Sequence, residues 1–167
     1  MSCWLLQAVS LWPQLLGLSV FTRKLFYLLV FLLLQGCSSI MPNIGVTNGK
    51  LADCPSSPNC VSSQAQTNDK HFIEPIVVKG SSLDAHEKVL AVLESSKRTK
   101  VVVNEADYIH AEFTSMVFRF VDDVEFLFSQ ERDGVVNIDI RSASRVGHSD
   151  FGVNRKRMEV IRSKLKE

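Results

Sequence analysis

The chain has 167 residues, 46% of them hydrophobic and 22% charged, with 19 Lys+Arg against 18 Asp+Glu. A balance so near neutral, with no basic block along the sequence, excludes nucleic acid as the expected partner and offers no polybasic membrane patch. No repeat and no low-complexity block is present, so solenoid and disordered architectures are excluded as well.

In chain order, residues 1–36 come first and read as an export signal. Trp4 to Phe21 is apolar but interrupted by Gln7, Ser10, Pro13 and Gln14, and it carries no charge. The expected translation start therefore lies later, near Leu18 or Val20. Arg23 and Lys24 then precede an unbroken apolar run from Leu25 to Leu34, and Gln35, Gly36 and Cys37 follow. A charged start, a short apolar run and a small residue before the cut describe a secretory signal. A membrane-spanning anchor is the rival reading, but the run falls short of the roughly 20 residues that a crossing helix needs. Leu34-Gln35-Gly36-Cys37 resembles the lipobox of bacterial lipoproteins. That resemblance implies a diacylglyceryl group on the Cys37 sulfur and a mature chain that starts there. Ser38 resembles the pattern sent to the outer membrane.

Loss of residues 1–36 leaves 131 residues, enough for one domain with a real core. Arg23 and Lys24 leave with the signal, so the mature chain carries 17 basic against 18 acidic residues, a net charge of −1. Residues 37–53 read as a lipidated tether, rich in Ser, Asn, Gly and Thr, and residues 54–167 as the globular domain. Cys54 and Cys60 form an even pair in an exported chain, where disulfides persist. The turn-rich loop Cys54-Pro-Ser-Ser-Pro-Asn-Cys60 lets its ends meet. Its spacing fits neither a CxxC redox pair nor the usual zinc ligands, so a structural disulfide is expected.

Phe72 to Val78 is the first strand candidate, at an edge because of Pro75. Ser81 and Asp84 form a capping-box-like pair, and Leu83, His86, Val89, Leu90 and Leu93 repeat at helical spacing, so a helix is expected over 82–96. Lys97, Arg98 and Lys100 follow near its C-terminal dipole end. Four strands are then expected over Lys100–Asn104, Tyr108–Phe118, Val124–Gln130 and Val135–Ser142, the last two joined by an Arg132-Asp133-Gly134 hairpin turn. Asp150 is placed to cap a last helix with Phe151, Met158, Ile161 and Leu165 on one face. The fold class is α+β: one domain of order β-α-β-β-β-β-α, an antiparallel sheet with both helices on one face. Alternation assigns Ile109, Ala111, Phe113, Val124, Phe126, Phe128, Val136, Ile138 and Ile140 to the core face. It assigns Tyr108, His110, Glu112, Glu125, Ser129, Asn137, Asp139 and Arg141 to the opposite, polar face.

Two stretches carry a family resemblance. One is Cys54-Pro-Ser-Ser-Pro-Asn-Cys60-Val-Ser-Ser63. The other is Arg119-Phe-Val-Asp-Asp-Val-Glu-Phe126, with Arg141-Ser-Ala-Ser-Arg-Val-Gly147 running on to Ser149-Asp-Phe-Gly-Val-Asn-Arg155. Over about residues 51–166 the chain resembles the domain-of-unknown-function 1499 family. The resemblance implies one compact domain and supplies no reaction, cofactor or catalytic residue.

The stretch from Arg141 to Arg157 holds the candidate site residues Arg141, Ser142, Ser144, Arg145, Asp150, Asn154 and Arg155. It leaves the last strand and enters the last helix, whose free N–H groups and positive dipole end suit an anion, with arginines as bidentate donors. The other reading is an Arg–carboxylate network pinning the connection, with Asp150, Asp122, Asp123 and Glu125 offsetting the basic charge. Asp122-Asp123 with Glu125 offers oxygens to a hard cation, against a plain turn in which they pair with Arg119. Tyr108, His110 and Glu112, with Asp139 and Arg141, offer a polar pocket in which His110 acts as acid or base, against a solvated face of cross-strand charge pairs. His71, His86 and His148 lack metal-ligand spacing. No nucleophile elbow, phosphate loop or dinucleotide fingerprint occurs, so no catalytic residue, metal or cofactor is assigned. The expected protein is a non-enzymatic envelope lipoprotein, a binding or structural module facing the periplasm from the outer membrane. Its expected partners are the membrane, through lipid on Cys37, and a protein or small anionic ligand. An anion or small-molecule binder using Arg141–Arg157, and a hydrolase, are the alternatives.

Overall fold

A computed structural model describes residues 43–166; the signal, the lipobox with Cys37 and the first part of the tether lie outside the described residues. The element order is β1 (Val46–Thr47), β2 (Lys50–Leu51), β3 (Cys60–Ser62), β4 (Ile76–Lys79), α1 (Ser82–Glu94), β5 (Thr99–Asn104), β6 (Tyr108–Thr114), β7 (Val121–Phe128), β8 (Val135–Ser144) and α2 (Val153–Lys164). Strands β5 to β8 form an antiparallel meander. The outer edge of β8 is shared by two short strands: β4 pairs with its first half and β3 with its second. Both helices pack on one face. Ala85, Val89 and Leu93 from α1 and Met158 and Ile161 from α2 join Ile109, Val124, Phe126, Ile138 and Ile140 in one buried cluster. The protein is thus an α+β domain with the expected helical face.

Local chemistry explains the element ends. Ser81 accepts from the Asp84 N–H while the Asp84 carboxylate accepts from Ser81, a complete capping box; the hydrogen bonds from Ser81 hold the Asp84 carboxyl below its ordinary range. Asp133 and Gly134 both have positive φ, 54° and 69°, as a two-residue primed turn requires. The core side chains of β6, β7 and β8 lie in register: Ile109 opposite Phe126, and Phe126 opposite Ile140.

Several bounds differ from the sequence expectation. The first strand of the expected order begins at Ile76, after Pro75, and Phe72 makes only an isolated bridge to Ser62. β6 stops at Thr114. Residues 115–120 form a closed tip in which Ser115 N–H donates to the Phe120 carbonyl and Arg119 takes positive φ. β7 begins at Val121, so Asp122 and Asp123 lie inside a strand instead of in a turn, and their partners are Arg157 and Arg145, not Arg119. Residues 46–51, within the segment whose composition reads as tether, form a hairpin. Helix α2 has Gly152, not Asp150, at its N-cap. The centre of the face opposite the helices, expected to be solvated, is buried: His110, Asp123, Glu125 and Arg141 expose 4% or less of their surface, while Ser129 and Asn137 on the same face stay exposed.

Candidate functional site

The alternation of β7 and β8 sends neighbouring residues of the Arg141–Arg157 stretch to opposite sides of the sheet. The candidate residues therefore form two polar networks, one on each face.

The network on the face away from the helices begins with a row in which His110, Glu125 and Arg141 are cross-strand neighbours. Glu125 is the centre. Its Oε2 accepts from Arg141 at 2.8 Å, and its Oε1 accepts from the Tyr108 hydroxyl at 2.8 Å and from the Gly45 N–H at 2.7 Å. The Gly45 bond brings the β1–β2 hairpin that follows over the centre of this face. In the next row Asp123 accepts from both Nε and an Nη of Arg145, at 2.8 and 2.7 Å, and pairs with His110 Nε2 at 2.8 Å. Arg145 also reaches Glu112. Burial alone would raise the Asp123 carboxyl, but the hydrogen bonds and charges of Arg145 and His110 outweigh it and hold that carboxyl at about 2. The same bond to Asp123 raises the Arg145 guanidinium further. Burial, reinforced by the Glu125 charge, pushes the Tyr108 phenol well above its ordinary range. Two buried atoms of this network, His110 Nδ1 and Arg141 Nε, have no hydrogen-bond partner among the described residues. Asp139, one row further on, is held by Ser63 and Gln64.

The second network lies under α2. Asn154 is fully buried and joins three segments: its Oδ1 accepts from the Ser142 hydroxyl and Arg157, and its Nδ2 donates to Ser144 Oγ and the Asn59 carbonyl. Asn59 in turn donates to the Gly147 carbonyl at 2.7 Å, which ties the disulfide loop to the β8–α2 connection. Arg157 continues from Asn154 to Asp122 and lies over the Phe113 ring, 4.8 Å from its centroid. Asp150 sits before the helix. Its carboxylate accepts the Gly152 and Asn154 N–H groups at 3.0 and 2.8 Å, and its backbone carbonyl accepts the Val153 N–H. An internal carboxylate thus occupies the donors that an anion at this helix start would take. Arg155 donates to the Lys70 carbonyl and Lys70 to the Ser56 carbonyl, so both cations stitch backbone together beside a cavity of about 80 Å³. Cys54 and Cys60 are disulfide-bonded with Cα atoms 5.7 Å apart, and the His71 ring lies against the Cys60 carbonyl.

Sequence reasoning brought Ser142, Ser144 and Asn154 together with Arg141 and Arg145, but the structure separates the two groups by the thickness of the sheet. It missed Asn59, Gln64 and the Gly45 contact. Extending the β7 alternation back to Val121 would have sent Asp122 toward the helices and Asp123 away. Local periodicity does not signal the contacts that Asn59 and Gly45 make across the fold, with residues 80 or more positions distant. Among the described residues no cluster of His, Cys, Asp and Glu is arranged to hold a metal ion, and no helix is long and apolar enough to cross a membrane.

Fold and site together define a helix-covered antiparallel α+β domain with a buried ionic network on each face of its sheet. Residues 50–165 match the model of the family described as Protein of unknown function (DUF1499), and the chain belongs to that family. No curated protein and no solved structure matches the chain.

Proposed function

We propose that the chain is a lipid-anchored bacterial envelope protein, held to the outer membrane through Cys37 and facing the periplasm. In this reading its domain is a binding or structural module without catalysis. The observation that carries the reading is the engagement of the Arg141–Arg157 guanidiniums by the protein itself. Arg141 is on Glu125, Arg145 on Asp123 and Glu112, Arg155 on the Lys70 carbonyl, and Arg157 on Asp122 and Asn154. The three guanidiniums paired with carboxylates, Arg141, Arg145 and Arg157, hold elements together and leave little of their charge for a substrate, and Arg155 is engaged by a neutral carbonyl. The Cys54–Cys60 disulfide suits an oxidising compartment. The test is purification of the anchored chain from membranes, with identification of the lipids, small molecules and proteins that accompany it. A reproducible partner with no turnover is expected. Turnover of an envelope substrate that disappears on changing Arg145 or Asp150 would overturn the reading.

One observation favours a second reading. His110 Nδ1 and Arg141 Nε are both buried and unpartnered among the described residues, and the Arg141 Nε–H is a donor that a small polar or anionic ligand would satisfy. Calorimetric titration with phosphate and with short carboxylates distinguishes the two. Binding lost in Arg141→Met would favour the ligand site, and no heat in the parent would remove it.

A further inference from the structure

One end of the domain carries apolar side chains that the fold leaves unpartnered. Met116, Val117, Phe118 and Phe120 form the tip between β6 and β7; the first three are 70% or more exposed, and the two Phe rings stack at 5.5 Å. The tip is fixed: Ser115 closes it on both sides, donating its N–H to the Phe120 carbonyl and accepting the Phe120 N–H on its hydroxyl. Val146 follows the end of β8 beside it, since the Arg145 N–H bonds the Val121 carbonyl, and Phe151 precedes α2 with 96% exposure. The fold also gathers at this end basic residues that are scattered in the sequence. Arg98 bonds the Thr114 carbonyl at the base of the tip, Lys97 precedes it, Arg119 lies within the tip and His148 beyond Val146; all four are exposed. Glu94, at the end of α1, is the exposed acid that opposes them.

We infer that this end of the domain docks on the surface of an anionic bilayer, with residues 115–120 entering the headgroup region. The inference rests on the lipid-anchor reading above. Phenylalanines set among Lys and Arg are the composition of segments that sit in the interface, apolar groups below and cations among the anionic headgroups. The chain supplies the geometry. Cys37 and Gly45 are eight positions apart, at most about 29 Å of extended chain. Gly45 is pinned on Glu125, four residues along β7 from Val121, or about 13 Å from the base of the tip. A lipid on Cys37 therefore holds the bilayer within reach of the tip and limits how far the domain can stand away.

The test uses the full chain reconstituted in phosphatidylglycerol vesicles with brominated acyl chains. Phe118→Trp places an indole on the tip, and Leu83→Trp places one at the exposed N-terminal end of α1, the other end of the domain. With the parent emission subtracted, the Phe118→Trp signal is expected to shift to the blue and be quenched, and the Leu83→Trp signal to stay unchanged. Without any substitution, trypsin cleavage after Arg119 should slow by roughly tenfold on these vesicles relative to phosphatidylcholine vesicles, as a docked fraction of about 90% requires. Cleavage after Arg132, in the opposite hairpin, should not slow. An unquenched Phe118→Trp with unprotected Arg119 overturns the inference. So does a blue shift that needs no vesicles and grows with protein concentration, because the tip then meets a second copy. The mass of the Cys37 peptide from the same sample separates the two readings. Lipid on Cys37 with an undocked tip defeats only this inference, whereas a docked tip with bare Cys37 supports it and defeats the anchor.

Discussion

Replacing Asp123 with Asn keeps the shape of the side chain and removes the charge on which Arg145 and His110 converge. In the parent, that carboxylate accepts two bonds from one guanidinium and one from the imidazole while exposing 1% of its surface. Removing one partner of a buried ion pair costs about 3–5 kcal/mol. Arg145 keeps Glu112, and its side chain is 28% exposed, so water can reach the stranded charge and the lower end applies, about 3 kcal/mol. Against a domain stability of about 5–15 kcal/mol that is a large fraction, and it corresponds to a fall in Tm of roughly 12 °C. Urea unfolding at neutral pH followed by an acid series gives the measurement. The folded carboxyl lies at about 2, below its unfolded value, so its stabilisation is complete above about pH 4 and is lost as the pH falls through about 2. The parent should lose about 2 kcal/mol across that window, and Asp123→Asn should lack this part of the acid limb. A variant within about 1 kcal/mol of the parent, with the same acid limb, would refute the network as a source of stability.

Asn154→Ala should destabilise by about 2–4 kcal/mol in the same assay, because it leaves the Ser142 hydroxyl, Arg157 and the Asn59 carbonyl short of a buried partner. Tyr108 should stay un-ionised in the folded chain well above pH 10; since its folded phenol is raised by burial and by Glu125, its contribution is present below about pH 10 and lost above. Absorbance titration of the parent against Tyr108→Phe checks this, and a phenolate appearing at ordinary pH in the folded chain would count against it. Reduction of the Cys54–Cys60 bridge should cost about 2 kcal/mol, read as a lowered urea midpoint, while α1 and the meander keep their circular-dichroism signal.

The meander and α1 were legible because each follows a local rule: period two for Ile109, Ala111 and Phe113, a capping box for Ser81 and Asp84, and a primed turn at Asp133-Gly134. The polar face was legible as a set of residues, but the burial of its centre was not. What buries it is the Gly45–Leu51 segment, whose Gly, Thr, Asn and Lys read as linker and whose docking depends on a carboxylate 80 positions away. Asp150 was recognised as serving the start of α2, yet it does so from two residues outside the N-cap, because Gly152 takes the left-handed conformation that turns the chain into the helix. The division of Arg145 and Ser144 between two faces follows from strand β8 running two residues longer than its apolar pattern suggests.

The proposal that a lipid on Cys37 holds this domain at the membrane is tested most directly by the mass of the N-terminal fragment of the chain isolated from bacterial membranes. The account predicts a fragment that begins at Cys37 and carries diacylglyceryl on its sulfur. A chain that retains residues before Cys37 and carries no lipid on that sulfur would contradict it.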